Sequence, residues 1–366
     1  MSDLRPETHP GARQGRRKVT INTVAESARV SRQTVTNALL HPERVHPETL
    51  SRVQSEIVRL GYRPSAAATS LRSQRAGAIG VELNVLGPGY HNAMMAPFLG
   101  ALSTGSRGHG VAVVTFGSDG LAPTLDSYEQ MWESQAVDAF VIADTHPGDP
   151  RPAWLRERGI AFGSFGRVWD DPTFTRWVDV DGHHGTAAAV THCVERGYGR
   201  IGFLGSPGGT SVVGDARRAG WADACSAHEV VVPPEARFAA DELDSASEAA
   251  DRVVADVGVG GAVVCVSDVL ALAVLHAVWR AGLRPGADVG IVGFDDSELA
   301  RMHSLSSLAQ PMTAIGDHVL RLISEALAGA PDRAAGILLE PRLTVRNSTG
   351  HPQGTPTPTA PPEKEN

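Results

Sequence analysis

Lysine and cysteine are nearly absent from this chain, and no long apolar run interrupts it. Of its 33 basic residues only Lys18 and Lys364 are lysines, a bias that codon usage in a GC-rich genome explains more simply than a need for bidentate contacts. Cys193, Cys225 and Cys265 are far apart, odd in number and without C-x-x-C spacing. That pattern argues against a disulfide framework and against a thiolate metal site. No run of about 18 apolar residues is available to span a bilayer. The basic, Pro/Gly-rich N-terminal stretch lacks an apolar h-region, so it does not read as a secretory signal. His183-His184 lacks H-E-x-x-H spacing and a third ligand, and Gly205-Ser206-Pro207-Gly208-Gly209 lacks the G-K-(S/T) ending of a phosphate loop. No serine sits on a G-x-S-x-G elbow. The expectation is a cytoplasmic protein that is not an enzyme and needs neither metal nor cofactor.

What is present is length and an uneven distribution of charge. A chain of 366 residues is too long for one ordinary core and suggests two or three domains. Hydrophobic residues make up 42%, enough to fill such cores and to exclude global disorder. The net charge of −8 conceals a division: residues 1–76 carry 13 Lys/Arg against 6 Asp/Glu, and the remainder carries 20 against 35. A basic head on an acidic body fits a nucleic-acid reader tethered to a sensor. A merely solvated basic face would give the same arithmetic, so the reading has to come from the residues.

Thr20 is a candidate N-cap, followed at helical spacing by Ile21, Val24, Ala25 and Ala28, one apolar face of a first helix. Arg29-Val30 makes a turn with Val30 as an apolar plug. Ser31 is a second N-cap, and the helix it opens buries Val35, Ala38 and Leu39 while leaving Arg32, Gln33, Thr36 and Asn37 outward. Pro47 suits the first turn of a third helix, whose stripe is Leu50, Val53, Ile57 and Leu60 and whose end is Gly61. In helix-turn-helix geometry the start of the second helix meets base edges in the major groove. Arginine suits guanine O6/N7, and glutamine or asparagine suits adenine N6/N7. Arg32, Gln33 and Asn37 are therefore the expected reading set.

The run Val24-Ala25-Glu26-Ser27-Ala28-Arg29-Val30-Ser31-Arg32-Gln33-Thr34-Val35-Thr36 resembles the headpiece of lac repressor-like (LacI-type) transcriptional regulators, whose pattern is V-T-I-x-x-V-A-x-x-A-x-V-S-x-x-T-V-S. The match extends to Leu60-Gly61-Tyr62-Arg63-Pro64. It departs at Thr36, a conservative change, and at Asn37, where many members carry arginine. The resemblance implies DNA contacts from Thr20, Ser31, Arg32, Gln33, Thr34, Thr36, Asn37 and Tyr62. It further implies a hinge helix over Ser65-Ala66-Ala67-Ala68-Thr69-Ser70-Leu71 that orders on DNA and wedges Leu71 into the minor groove. An isolated helix this short is marginal in water, and an apolar wedge can trade unstacking for a bent duplex.

From about Ala76 short apolar runs alternate with helical stretches: Ala78–Val81, Val111–Val114, Ala139–Ile142, Ile160–Phe162, Ile201–Leu204, Ala262–Val266 and Val289–Val292. These read as buried parallel strands of doubly wound α/β sheets. The expected organisation is a basic arm (1–17) and an all-α helix-turn-helix headpiece (18–63), followed by a hinge (64–76). An α/β two-lobed, periplasmic-binding-protein-like effector and dimerisation domain (77–346) comes next, and then a disordered tail (347–366). The body resembles the effector domain of the same family, which implies three crossovers between lobes, expected near Trp177-Val178, Gln310-Pro311 and Leu338–Pro341.

Ligands of open α/β sheets bind beyond the carboxyl ends of strands. In the first lobe those ends offer Asn84, Tyr90 and Asn92, then Asp144, then Phe165 and Arg167. In the second lobe they offer Arg217, Trp221, Ser267, Asp268, Phe294 and Asp295, with Gln310 at a crossover. Asp215-Ala216-Arg217-Arg218-Ala219-Gly220-Trp221, Val266-Ser267-Asp268 and Gly293-Phe294-Asp295-Asp296 resemble motifs of the same family. Acceptors, an arginine and aromatic rings together suit a polyhydroxylated ligand. Asp268 and Asp296 could equally cap helices, and Tyr90, Phe165 and Trp221 could equally be packing. The expected protein is a homodimeric regulator, more readily a repressor. It would bind a palindromic double-stranded operator under control of a small effector, a sugar first. The alternatives are a purine-type corepressor, a sugar-binding transport protein or a carbohydrate-active enzyme.

Overall fold

The computed structural model describes residues 19–62, 75–83, 91–117, 125–208, 211–233, 237–330 and 335–350. The chain divides into two compact units, residues 1–75 and 76–366. Leu71, the whole arm, most of the expected hinge and most of the tail lie outside the described residues.

In the first unit, α1 (Ile21–Ala28) opens on a reciprocal capping box between Thr20 and Thr23 and closes on Arg29 in the left-handed region. α2 (Arg32–Leu40) opens on Ser31, whose hydroxyl accepts from the Thr34 amide at 3.1 Å. Each such cap stabilises its helix by about 1 kcal/mol. α3 (Pro47–Leu60) begins at proline and ends on left-handed Gly61. Val24, Ala25, Ala28, Val35, Ala38 and Val53 make the small core, with Leu39, Leu50, Ile57, Leu60 and Tyr62 half-buried around it. Tyr62 packs as the apolar residue just beyond α3, its amide donating to Ile57 O at 3.0 Å.

The second unit holds two six-stranded sheets. The first contains β1 (Ala78–Leu83), β2 (Ala112–Gly117), β3 (Ala139–Ile142), β4 (Ala161–Phe165), β5 (Trp177–Val180) and β11 (Ile337–Leu339). Its order is β11-β5-β4-β3-β1-β2, parallel throughout. The second contains β6 (Arg200–Gly205), β7 (Arg237–Phe238), β8 (Gly261–Cys265), β9 (Val289–Asp295), β10 (Ser306–Ala309) and β12 (Arg342–Thr344). Its order is β12-β10-β9-β8-β6-β7, with only β12 antiparallel. Helices α4 (His91–His109), α5 (Leu125–Glu133), α6 (Arg151–Glu157) and α12 (Met312–Leu327) serve the first sheet. Helices α7 (Gly182–Glu195), α8 (Val212–Ala227), α9 (Ser247–Val257), α10 (Asp268–Arg280) and α11 (Glu298–Met302) serve the second.

The chain changes sheets at Asp181, at Gln310-Pro311 and at Glu340-Pro341. Trp177 and Val178, taken from sequence as the first crossover, instead lie inside β5; Val178 is fully buried and pairs with Phe165. Leu338 lies in β11 rather than in a crossover. β2 is an edge strand with alternating exposure, not a buried one. Residues 347–350, assigned from sequence to the tail, pack into the second lobe: Ser348 and Thr349 are buried, and Ser348 Oγ donates to Ile291 O at 2.6 Å.

Candidate functional site

Two groups of side chains stand out, one in each unit. In the first unit Arg32 and Gln33 are fully outward, in the first turn of α2, while Thr34, Thr36 and Asn37 are half-buried. Gln33 Nε2 donates to Asn37 Oδ1 at 3.2 Å one turn on, so two of the three expected base readers are aligned on one helix face. Ser31 and Thr34 share a hydroxyl contact of 2.9 Å beside them. Next to this face lies a concavity of about 360 Å³ lined by Val30, Ser31, Thr34 and Asn37 on one side and Arg44, Val45, His46, Thr49 and Arg52 on the other. Sequence reasoning missed Arg44, His46 and Arg52 because they sit in a loop and on α3 with no motif. Donors and cations at a helix start are what a phosphate oxygen requires.

In the second unit Arg217, Asp295 and Gln310, of the sequence-predicted residues, lie by the carboxyl ends of strands of the second sheet. Arg217, on α8, is 3% exposed. Its Nη1 donates to Val266 O at 2.6 Å, and its guanidinium lies 3.5 Å over the Phe294 ring. Its stem runs so close to the start of α7 that a β-carbon on Gly182 would sit 2.9 Å from Arg217 Cγ. One turn later a β-carbon on Gly220 would sit 2.1 Å from His183 O. The arginine and glycine of this motif thus have separate tasks: one reaches the strand ends and the other lets α8 lie against α7.

Asp295 ends β9 with φ of 112°, a conformation that side chains rarely adopt and that costs on the order of 1–3 kcal/mol. Gln310 Nε2, from the second crossover, donates to Asp295 Oδ1 at 2.6 Å. Burial pushes the Asp295 carboxyl well above the ordinary carboxylate range, with the Arg217 charge opposing it.

Four predicted residues play other parts. Ser267 caps α10, accepting from the Leu270 amide at 3.2 Å, and its hydroxyl donates to Asp241. Asp268 accepts from Ser307 Oγ at 2.5 Å and from the Ser297 amide at 2.7 Å, bracing the strand ends from within. Phe294 is fully buried beneath Arg217, and Trp221 packs on Phe203 with ring centres 5.5 Å apart. Aromatic and polar side chains at strand ends were read as lining; here the core of the lobe takes them.

In the first lobe Arg167 lies flat on Trp169 at 3.6 Å, with its Nε 3.5 Å from Asp179 Oδ2. Phe165 is half-buried against Phe98, at 5.0 Å between ring centres. Asp144 is exposed on a turn after β3, with φ of 53°. Asn84 and Tyr90 and the side chain of Asn92 lie outside the described residues. Sequence reasoning missed Asp179 and Asp241. Burial raises the Asp179 carboxyl, and the charges of Arg167 and Arg217, one from each lobe, oppose it. Its one signal was a carboxylate inside the apolar run Trp177-Val178-Asp179-Val180.

Comparison with known proteins adds an independent line. A family model for bacterial regulatory proteins of the lacI family matches residues 20–65, and one for a periplasmic binding protein-like domain matches residues 190–349. The HTH-type transcriptional regulator CelR of Thermobifida fusca is 28% identical over 343 residues, covering 91% of this chain and 99% of that protein. The fold is similar to the structure of a CelR–cellobiose complex, with a TM-score of 0.63 at 24% identity, covering 90% of this chain and 99% of that one. It is also similar to the lac repressor dimer bound to operator and the anti-inducer ONPF, with a TM-score of 0.72 at 23% identity, covering 91% and 100%. Among the described residues no helix is long and apolar enough to cross a membrane, and no group of His, Cys, Asp and Glu could hold a metal ion.

Proposed function

Because the chain belongs to the lacI family of bacterial regulatory proteins, we propose that it binds a palindromic operator as a homodimer and releases or grips it according to a sugar held between the two sheets of its second unit. The observation that carries this reading is the outward pair Arg32 and Gln33 on the Ser31-capped helix, in the same chain as Arg217, Asp295 and Gln310 gathered at the strand ends of the second sheet. Two-fold protein symmetry mirrors a two-fold operator, one half-site per headpiece. Arg32 and Gln33 read bases, Asn37 assists through Gln33, and Ser31 and Thr34 with Arg44, His46 and Arg52 hold phosphates.

In the body, a guanidinium with carboxylate and amide acceptors suits the hydroxyls of a sugar. The relative solved with cellobiose supports a carbohydrate over a purine. The effector closes one lobe on the other and changes operator affinity by a coupling of about 1–3 kcal/mol. The protein works by binding and release without turnover, and its operator places it in the cytoplasm.

The test is a thermal-shift series with neutral mono- and disaccharides, since a ligand that prefers the folded state raises its melting point. Arg217→Ala should lose most of the shift produced by the best sugar, an affinity loss on the order of 10–100-fold for a charged hydrogen bond. Each variant is referred to its own unliganded melting point, and operator affinity without sugar should stay as in the wild type. An undiminished shift removes Arg217 from the pocket.

A further inference from the structure

Ala76, the first residue of the second unit, and Gly77 donate their successive amides to the two oxygens of one carboxylate, Asp138, at 2.7 and 2.6 Å. Asp138 returns its own amide to Ala78 O at 2.8 Å, and Gly77 O accepts from the Ala112 amide at 2.8 Å. Gly77 has φ of +67°, so the chain turns sharply between the clamp and β1. The three residues with which the chain arrives at the first sheet are therefore bonded to the starts of both strands flanking β1. A carboxylate accepting two backbone amides is among the stronger neutral-donor arrangements, because both acceptors carry charge. Secondary structure does not require it, since Ala76 and Gly77 precede β1.

We infer that Asp138 is the positioning residue that ties the DNA-reading half of the chain to the state of the sensor. This rests on the function proposed above. The chain passes from one unit to the other at Arg75-Ala76, and a lobe movement is passed along it faithfully only if that connection starts from a fixed point. With the clamp intact, displacement of β1 and β3 moves the first linker residue by the same amount. Without it, the Ala76 and Gly77 amides lose their anchor while Gly77 O stays bonded to the Ala112 amide. The chain at Ala76 can then shift against β1 by one residue's reach, about 3 Å, enough to absorb small lobe displacements before they are passed on. Asp138 lies at the amino end of β3, whereas Arg217, Asp295 and Gln310 lie by carboxyl ends of strands in the other sheet, and its bonds to Ala76, Gly77 and Ala78 involve none of them.

The experiment measures, for full-length wild type, Asp138→Asn and Asp138→Ala, three quantities: operator affinity without sugar, operator affinity with saturating sugar, and sugar affinity by calorimetry. The sugar is the neutral saccharide giving the largest thermal shift. Asp138→Ala should lower the ratio of the two operator affinities at least fivefold, toward one, with sugar affinity within twofold of wild type. Asp138→Asn keeps one acceptor and should fall between the two. Should Asp138→Ala prove unfolded, Asp138→Asn with a lowered ratio and intact sugar affinity still supports the clamp. A wild-type ratio in either folded variant, or a ratio and sugar affinity that fall together, overturns it. A wild type with no operator preference or no sugar response refutes the functional reading instead, before any variant is compared.

Discussion

Arg151→Met should destabilise the second unit by about 3–5 kcal/mol, the cost of leaving buried charge without its partner. Arg151 is 2% exposed. Its Nη1 donates to Glu82 Oε2 at 2.9 Å, its Nη2 to Asp149 Oδ2 at 2.7 Å and to the carbonyls of Ala143 and Asp144 at 3.0 and 3.1 Å. Tyr128 Oη donates to the same Glu82 oxygen at 3.1 Å. Burial works against the Arg151 charge, but hydrogen bonding to Asp149 and the surrounding negative charge outweigh it and hold its pKa above the usual arginine range. Burial likewise pushes the Tyr128 phenol up, keeping it a donor. Methionine fills the volume but leaves two carboxylates facing each other in the first lobe. Urea unfolding followed by circular dichroism should show the midpoint falling with the slope unchanged. Adding Glu82→Gln and Asp149→Asn to Arg151→Met should recover most of the loss. A midpoint within experimental scatter of wild type would mean the quartet is solvated rather than buried.

The second large effect concerns DNA. The double variant Arg32→Ala/Gln33→Ala should lose nearly all discrimination between operator and random duplex. Each good bidentate pair contributes about 1–3 kcal/mol, so two together amount to roughly 30-fold to 10⁴-fold. Binding to random duplex should persist with its salt dependence little changed, falling by at most the one phosphate-range cation removed, because Arg44, His46 and Arg52 remain. Ser31 still caps α2, so helicity and melting of the headpiece should be unaffected. A variant that keeps wild-type preference for operator would show that another element reads the bases.

Much of this molecule was legible because local signals and global fold agree. Thr20, Ser31, Pro47 and Gly61 mark helix boundaries by backbone chemistry, and the runs in β1, β3, β6, β8 and β9 are apolar because both of their faces are covered. β5, β7, β10, β11 and β12 escaped notice for the converse reason. They are two to four residues long, and Ser306-Ser307 is buried through side-chain bonds to Thr349, Arg346 and Asp268 rather than by apolarity.

Among the candidate residues of the second unit, motifs led to Arg217 and Asp295 and a crossover to Gln310, whereas Asp179 and Asp241 lie in segments with no motif. The buried quartet was invisible in sequence. Charged residues default to the surface, and Glu82 and Arg151 meet across 69 positions. Asp138 was hidden in the same way, since its carboxylate acts on backbone amides, which carry no sequence signature.

Regulation by this chain depends on a helix-turn-helix unit that distinguishes one duplex sequence from another. The direct measurement is selection of duplexes from a randomised pool by the purified full-length protein, followed by titration of the recovered sequence against random duplex at 150 mM salt. An inverted repeat should emerge, bound about 10³-fold or more tightly than random duplex, with a neutral saccharide changing that affinity and not the random one. Equal affinity for selected and random duplex would contradict it.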